Sequence, residues 1–315
     1  VTHKIIIDTD PGIDDAMAIH FALAEPSIEL VGLTSIYGNV TTSQATRNAL
    51  RLVEMGCQRV PVAEGAYAPL AIEAKPPAHF VHGPEGFGEI PAETPRGIPD
   101  KRAAARFLAE TCAASPGEIV ICAVGPLTNL AVALRDHPEI TRTVKEVVIM
   151  GGSVRAPGNV SRTAEANIWN DPHAADAVLS ADWPVRMIGL DVTQPVRCSR
   201  ADFAELAEAA PVIGGFLNRA ADFYFHFHVQ QRGFDGCYMH DPTAVIAITN
   251  PELFTFEDAP VRVPVEGEDI GRTVADPSRG TRPVGLGMGV DAQAVRERFL
   301  GVIREADACR ARQSG

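Results

Sequence analysis

Three things are scarce or missing in this chain of 315 residues, and each narrows what it can be. Basic residues are outnumbered: 28 Lys and Arg stand against 40 Asp and Glu, the formal net charge is −12, and no Lys/Arg-rich block interrupts the sequence. Non-specific attraction to phosphate backbones or anionic membranes is therefore disfavoured, so neither a nucleic acid nor a membrane is expected as a partner. Clustered cysteine is missing. Cys57, Cys112, Cys122, Cys198, Cys237 and Cys309 are scattered, with no C-x-x-C and no tight Cys/His spacing of the zinc type. They read as free thiols in a reducing compartment, which predicts a cytoplasmic protein. Long apolar runs are missing too, since no stretch is long enough to span a bilayer. What remains is ordinary for a globular protein: 46% hydrophobic and 22% charged residues, in a chain able to bury a large core. No repeat or low-complexity segment appears, and residues 1–315 are read as a single domain.

Short runs rich in Val and Ile recur along the chain. Residues 4–8, 28–38, 59–65, 118–125, 146–152 and 184–192 read as strands, and residues 14–24, 41–56, 100–114, 126–137 and 171–181 as helices between them. Continuous rather than alternating hydrophobicity suits strands covered on both faces, so the alternation predicts an α/β fold: an open, mostly parallel sheet flanked by helices. The last third is read as a helical stretch over 199–232, a hairpin near 253–275 and a closing helix from about residue 291. Two long segments, 66–99 and 151–170, are rich in Gly or Pro and polar residues. Loops of that length in a folded domain are functional or disordered.

The stretch KIIIDTDPGIDDAMAI, residues 4–19, places Asp8, Asp10, Asp14 and Asp15 at the end of a core strand and in the first turn of the next helix. Pro11 and Gly12 supply the turn. Capping and the helix dipole account for two of these carboxylates, but not for four. Like charges so close need a proton, a basic partner or a metal, and no Lys or Arg lies within the cluster. A hard cation such as Ca²⁺ or Mg²⁺, which takes oxygen ligands, is the economical answer. The spacing is not that of an EF-hand loop.

DTDPGIDDAMAI resembles the N-terminal signature of the inosine-uridine-preferring nucleoside hydrolase family. YGNV (37–40), HGPEGFG (82–88), VGPLTNLA (124–131), MGG (150–152), GNVSRTAEANIWNDPHAA (158–175) and HDPTAV (240–245) agree with it in the same order. The resemblance implies an enzyme that hydrolyses the N-glycosidic bond of ribonucleosides to free base and ribose, with Ca²⁺ as cofactor. It also implies a homodimer or homotetramer. By this resemblance Asp10, Asp15, the carbonyl of Val124 and Asp241 hold the cation, and Asp10 takes the proton from the attacking water. Asp14 and Asn167 meet the 2′ and 3′ hydroxyls, with Asn39 close by. Asn159 and Glu165 grip the 5′ hydroxyl, and His240 gives a proton to the departing base. His82, in a loop bordering the pocket, is a binding candidate. Such chemistry passes through an oxocarbenium-like sugar, so it needs an activated water, a held ribose and an assisted leaving group.

Plainer readings stand beside these. Asn39 and Asn159 each follow a Gly and suit turns. A single His such as His240 is commonly structural, although a histidine also titrates near neutrality and can serve as an acid. The stretch ADFYFHFH, residues 221–228, offers Phe225 and His228 to a nucleobase, or else packs as an ordinary helix. Glu85, Phe87 and Ala166 depart from residues frequent in the family (Asp, Leu and Phe), which bears on substrate range. GLGMG at 285–289 lacks G-x-G-x-x-G spacing and is given no nucleotide role. Two alternatives to a nucleoside hydrolase are a haloacid dehalogenase-type phosphatase and a non-catalytic ribose- or nucleoside-binding protein. The phosphatase would use D-x-D as nucleophile and Mg²⁺ ligand, but Lys145 precedes its strand and is poorly placed for it. The binding protein would have lost the base or a metal ligand, and Asp10, Asp15 and Asp241 are all present.

Overall fold

Ile5, Ile6 and Ile7 are completely buried. Successive residues of a strand point to opposite faces, so a strand apolar at every position needs cover on both sides. The computed structural model, which describes the backbone of residues 1–313 and side chains as far as Glu305, supplies that cover. Ile5 and Ile7 pack into one core with Phe21, Phe216 and Phe299, while Ile6 enters a second core with Phe107, Leu130 and Val178.

The strands are β1 (His3–Thr9), β2 (Ile28–Ser35), β3 (Val62–Glu64), β4 (Ile119–Ala123), β5 (Glu146–Met150), β6 (Val185–Ile188), β7 (Arg197–Ser199), β8 (Gly236–Tyr238), β9 (Phe254–Ala259), β10 (Val261–Arg262), β11 (Val274–Ala275) and β12 (Val284–Val290). Helices of the first half are α1 (Ile13–Ala24), α2 (Thr42–Met55), α3 (His79–His82), α4 (Ala104–Ala114), α5 (Thr128–Asp136) and α6 (Ile140–Thr143). The second half adds α7 (Ala166–Asn170), α8 (Pro172–Ser180), α9 (Leu190–Thr193), α10 (Arg200–Ala209), α11 (Ile213–Arg232), α12 (His240–Thr249) and α13 (Ala292–Gln313).

Eight strands form the main sheet in the order β3-β2-β1-β4-β5-β6-β12-β9. All neighbours pair in parallel except β9, which runs antiparallel to β12 at the edge. The fold is thus the open, mostly parallel sheet flanked by helices that the hydrophobic pattern predicts. The chain moves outward one way through β2 and β3 and then crosses back to β4, so the carboxyl ends of β1 and β4 frame a switch point, the usual place for a ligand crevice. Asp8 sits there in register with Thr34 of β2 and Ala123 of β4.

Several boundaries differ from expectation for local reasons. The segment 184–192 splits, because β6 ends at Ile188 and Leu190–Thr193 coils into α9. The helical stretch 199–232 breaks at Ala210–Val212, around Pro211, which cannot continue a helix interior. The hairpin near 253–275 survives only as the short pair β10–β11, because β9 leaves to pair with β12. GLGMG is the middle of that strand β12, so its glycines belong to a sheet and not to a phosphate loop. Of the cysteines, Cys57, Cys112, Cys122, Cys198 and Cys237 are free, and the side chain of Cys309 lies outside the described residues. Among the described residues no helix is long and apolar enough to cross a membrane.

Ile6 lies at the centre of the sheet with no exposed surface. Ile6→Ala is expected to lower unfolding free energy by about 2–5 kcal/mol, the range for emptying a buried aliphatic site, as read from urea denaturation at a fixed metal concentration.

Candidate active site

The carboxyl end of β1 delivers the acidic residues, and the two side chains of the D-x-D step face different surroundings. Asp8 is fully buried, and its Oδ1 accepts hydrogen bonds from the Thr34 hydroxyl and from Asn129 Nδ2. It braces the sheet, and of the four aspartates in this stretch Asp14 alone lines the cavity. Asp10 is clasped from the next loop, where Asn39 N–H donates to its Oδ2 at 2.6 Å. The backbone fits tightly around it. Gly38 has φ +153°, and a Cβ at Gly38 or Gly125 would run into the Asp10 carboxylate.

Asp14 and Asp15 open α1, and Asp241 lies in the first turn of α12. Both helices therefore direct the positive ends of their dipoles at the same acidic point. Asp14, Asp15 and Asp241 each offer a carboxylate oxygen to one spot, and these oxygens all lie within 4.8 Å of one another. Asp15 is held by four donors. Its Oδ1 accepts from the Thr9 hydroxyl (2.5 Å) and Asp10 N–H (3.2 Å), and its Oδ2 accepts from Gly12 N–H and Asn39 Nδ2, both at 3.0 Å. Buried Asp10 Oδ1 and Asp14 Oδ1, by contrast, have no hydrogen-bond partner among the described residues, and Asp14 Oδ1 lies 3.9 Å from His82 Nδ1.

Burial raises every carboxyl in this group above its ordinary range, and mutual repulsion adds to it. Asp14 is pushed up to about 8 by burial and then by Asp15. Asp10 rises through burial and Asp15, and Asp241 through burial and the charges of Asp14, Asp15 and Asp10. Burial also raises Asp15 against its four hydrogen bonds. Buried oxygens without partners, set among like charges, are what a hard divalent cation relieves. The donor set, all oxygen, fits such an ion. The sequence-based set matches this geometry in Asp15 and Asp241. The structure adds Asp14 to the converging oxygens and leaves Asp10 beside them, turned to Asn39.

Polar groups continue along one wall. The Val124 carbonyl lines the cavity and accepts from Asn167 Nδ2 at 2.9 Å. A second bond from that nitrogen to the Met150 carbonyl (3.0 Å) fixes the amide, leaving Asn167 Oδ1 as its remaining acceptor. Glu165 is the N-cap of α7, taking Asn167 N–H and Ile168 N–H, and it also binds Gly152 N–H. Burial raises its pKa, with those N–H groups opposing. Asn159 Oδ1 accepts from Ala166 N–H. The turn reading of Asn39 and Asn159 thus holds for parts of each side chain, yet both line the cavity.

The opposite wall is aromatic. Phe80, Tyr224, Phe227, His228, Tyr238 and His240 line a cavity that opens to solvent, with rings facing a few convergent polar groups as in small-molecule sites. His240 Nδ1 meets the Thr193 hydroxyl at 2.7 Å, and burial, followed by the neighbouring His228, lowers its pKa to about 3. His82 comes from the 66–99 segment. Its Nδ1 accepts the N–H of Ile13 at 3.1 Å, so it caps the first turn of α1, and burial drops its pKa to about 3.

Phe225 corrects the sequence-based expectation. It is fully buried and packs edge-on to Phe203 and against Arg200, outside the cavity lining. One helical step turns it about 100° from Tyr224, and its ring is taken up by Phe203 and Arg200. Tyr224, Phe227, Tyr238, Gln194 and Arg232 line the cavity unanticipated. The i, i+4, i+8 spacing of Tyr224, His228 and Arg232 was the available sign.

A crevice that joins converging carboxylates, an oxygen- and amide-lined wall and an aromatic wall at the switch point of this sheet is the architecture of a nucleoside hydrolase. A solved plant nucleoside hydrolase shares the fold with a TM-score of 0.92 and 37% identity, covering 98% of this chain and 99% of that one. A purine-preferring ribonucleoside hydrolase from Gardnerella vaginalis does so with a TM-score of 0.92 and 32% identity, covering 97% and 99%. Uridine nucleosidase 1 of Arabidopsis thaliana is 40% identical over 305 residues, which is 93% of this chain and 91% of that protein. The family model described as inosine-uridine preferring nucleoside hydrolase matches residues 5–297, and the chain belongs to that family.

The raised carboxyls make the metal-free protein sensitive to base. Asp8, raised to about 7 by burial, and Asp14, at about 8, bind protons in the folded state that the unfolded chain releases near pH 4. Their stabilising contribution is present at low pH and lost as pH climbs through those values. In chelator, Tm is expected to fall between pH 5 and pH 8.5, and an excess of a divalent cation to shrink the fall. A chelated Tm that rises over this window would contradict the carboxyl burial.

Proposed function

We propose that this enzyme hydrolyses the N-glycosidic bond of ribonucleosides of the uridine and inosine type in a Ca²⁺-dependent reaction, giving free base and ribose. The observation that carries the reading is the convergence of Asp14, Asp15 and Asp241 oxygens within 4.8 Å at the floor of a cavity with a hydrogen-bonding wall and an aromatic wall. A Ca²⁺ ion held by Asp10, Asp15, the Val124 carbonyl and Asp241, with Asp14 alongside, would orient water and ribose hydroxyls and make that water more acidic.

The chain's own residues do the rest. Asp10, whose Oδ1 has no partner, takes the proton from the attacking water. Burial favours its protonated form, which makes it a stronger base than an exposed carboxylate. Asp14 Oδ1 and Asn167 Oδ1 accept from the 2′ and 3′ hydroxyls, with Asn39 closing that side. Asn159 and Glu165 take the 5′ hydroxyl. A site built of such acceptors rejects a sugar that lacks a hydroxyl, because its buried polar groups are then left unpaired. His240 assists the departing base. Burial keeps its ring neutral, so it serves as a hydrogen donor at Nε2 when the Thr193 hydroxyl donates to Nδ1. His82, with Nδ1 committed to α1, offers Nε2–H to the ligand. The family resemblance extends to assembly as a homodimer or homotetramer, which sedimentation decides, and the free thiols accord with a cytoplasmic setting.

Ribose release from uridine, cytidine, inosine, adenosine and their 2′-deoxy forms, with and without chelator, tests the reading. Release from ribonucleosides that chelator stops and Ca²⁺ restores is expected, with the deoxy forms slower by about 100-fold or more. Binding without release would favour a nucleoside-binding protein. Asp10→Ala is expected to reduce turnover by at least about 1,000-fold. His240→Ala is expected to slow natural nucleosides more than a riboside whose leaving group needs no proton, and equal losses would refute its role at the leaving group.

A further inference from the structure

The loop between β2 and α2, residues 36–41, carries Asn39, whose N–H and side-chain amide grip Asp10 and Asp15. Its main chain is lightly held: Ile36 N–H bonds to the Thr9 carbonyl and Gly38 N–H to the Val40 carbonyl. Gly38, next to Asn39, has no side chain to pack the loop in place. Tyr37 supplies the anchor. Its ring is buried, and its hydroxyl lies 2.8 Å from that of Thr128, the hydroxyl's only hydrogen bond among the described residues. Thr128 opens α5 and lies 2.8 Å from Asp171 Oδ2.

The far end of this chain fixes its direction. Asp171 is completely buried at the N-cap of α8, and three donors point at it: Ala174 N–H at Oδ1 (3.0 Å), and Leu70 N–H (2.9 Å) and the Thr128 hydroxyl at Oδ2. A carboxylate only accepts, so the single Thr128 proton goes to Asp171, and the Thr128 oxygen is left to receive from Tyr37. Burial holds the Tyr37 phenol well above its ordinary range, so it keeps the proton that it donates. Beside Thr128, Asn129 Nδ2 donates to Asp8 Oδ1 (2.7 Å) and to the Ser35 carbonyl (3.0 Å). The start of α5 thus reaches the acidic stretch both through β1 and through the loop that clasps Asp10.

We infer that Tyr37, Thr128 and Asp171 form a positioning chain for Asp10. Running from hydroxyl to hydroxyl to buried carboxylate, it fixes Tyr37 and with it the adjoining Gly38–Asn39 peptide. The Asn39 N–H then pins Asp10 Oδ2 at 2.6 Å and leaves Oδ1, which has no hydrogen-bond partner, for the reacting water. The three residues act through Asn39 and not on the ligand, since their hydroxyl protons and carboxylate are spent on one another. Misplacement of a reacting group by a fraction of an ångström slows a reaction steeply, so a bond this far from the water still bears on the rate. The inference rests on the reading of Asp10 as the base of a nucleoside hydrolase.

The test uses Tyr37→Phe, which removes the hydroxyl and keeps the ring, Thr128→Val, which removes the hydroxyl at similar volume, Thr128→Ser, which keeps one, and the Tyr37→Phe/Thr128→Val double variant. Ribose release from uridine and inosine is measured for each. Both hydroxyl deletions are expected to lower kcat about tenfold or more while KM moves by less than about threefold. Thr128→Ser should stay within about twofold of the wild type, and the double variant within about twofold of the worse single one, because either change breaks the same chain. Full kcat in folded Tyr37→Phe, losses that multiply in the double variant, or a loss confined to KM would overturn the inference while leaving the hydrolase reading intact. If the wild type released ribose from neither nucleoside, that reading would fall. Amide hydrogen exchange over residues 36–41 in the metal-free protein, read by mass spectrometry, then decides the positioning: exchange faster by about tenfold in Tyr37→Phe supports it, and unchanged exchange overturns it.

Discussion

Burial of several carboxylates at one point, with no Lys or Arg paired to them, is the constraint around which this molecule is organised. Such a cluster is tolerated only where dipoles, donors and an exchangeable cation or proton share its charge. Two helices begin at the cluster. Four donors are spent on Asp15 alone, and the glycines that pack against Asp10 let the backbone close around it. The parallel sheet makes this possible, because its carboxyl edge brings the end of β1, the end of β4 and the starts of α1 and α12 to one place.

The two walls of the cavity are built by different means. The polar wall is set by main chain: Asn167 is fixed by two carbonyls, Glu165 by three N–H groups, and Asn39 spans two aspartates. Changing it would disturb the loops that form it. The aromatic wall takes Tyr224, Phe227 and His228 from α11, and Phe80, Tyr238 and His240 from three other segments. This division fits the company the chain keeps. Solved relatives described as a plant nucleoside hydrolase and as purine-preferring share its backbone at a TM-score of 0.92. The backbone is therefore common to proteins described in different terms, and side chains rather than fold carry what distinguishes them.

Much of this was legible in the residues. The run Ile5–Ile7 announces a strand buried on both faces, and the four aspartates after it announce a shared charge problem at the strand's end. Asn167, Glu165 and Asp241, which the ordered motifs single out, all line the cavity. Other parts were not legible because they depend on orientation in space. Asp8 and Asp10 look equivalent in D-x-D, yet Asp8 is consumed by Thr34 and Asn129. Phe225 and His228 look equally available in ADFYFHFH, but the helical turn buries Phe225 against Phe203. The glycine-rich segment 285–289 resembles a loop and is a strand, because only pairing with β6 and β9 defines it.

The bond from Ile13 N–H to His82 Nδ1 joins parts of the chain far apart in sequence. His82 belongs to the Pro- and Gly-rich segment that covers the aromatic wall, while Ile13 begins the helix that carries Asp14 and Asp15. That segment and the first turn of α1 are thus joined through a single imidazole. By thermodynamic reciprocity, whatever favours this bond from the helix side favours it equally from the segment's side. The acidic floor and the aromatic wall are in this sense tied together through one helix cap, since the same imidazole also meets Tyr224.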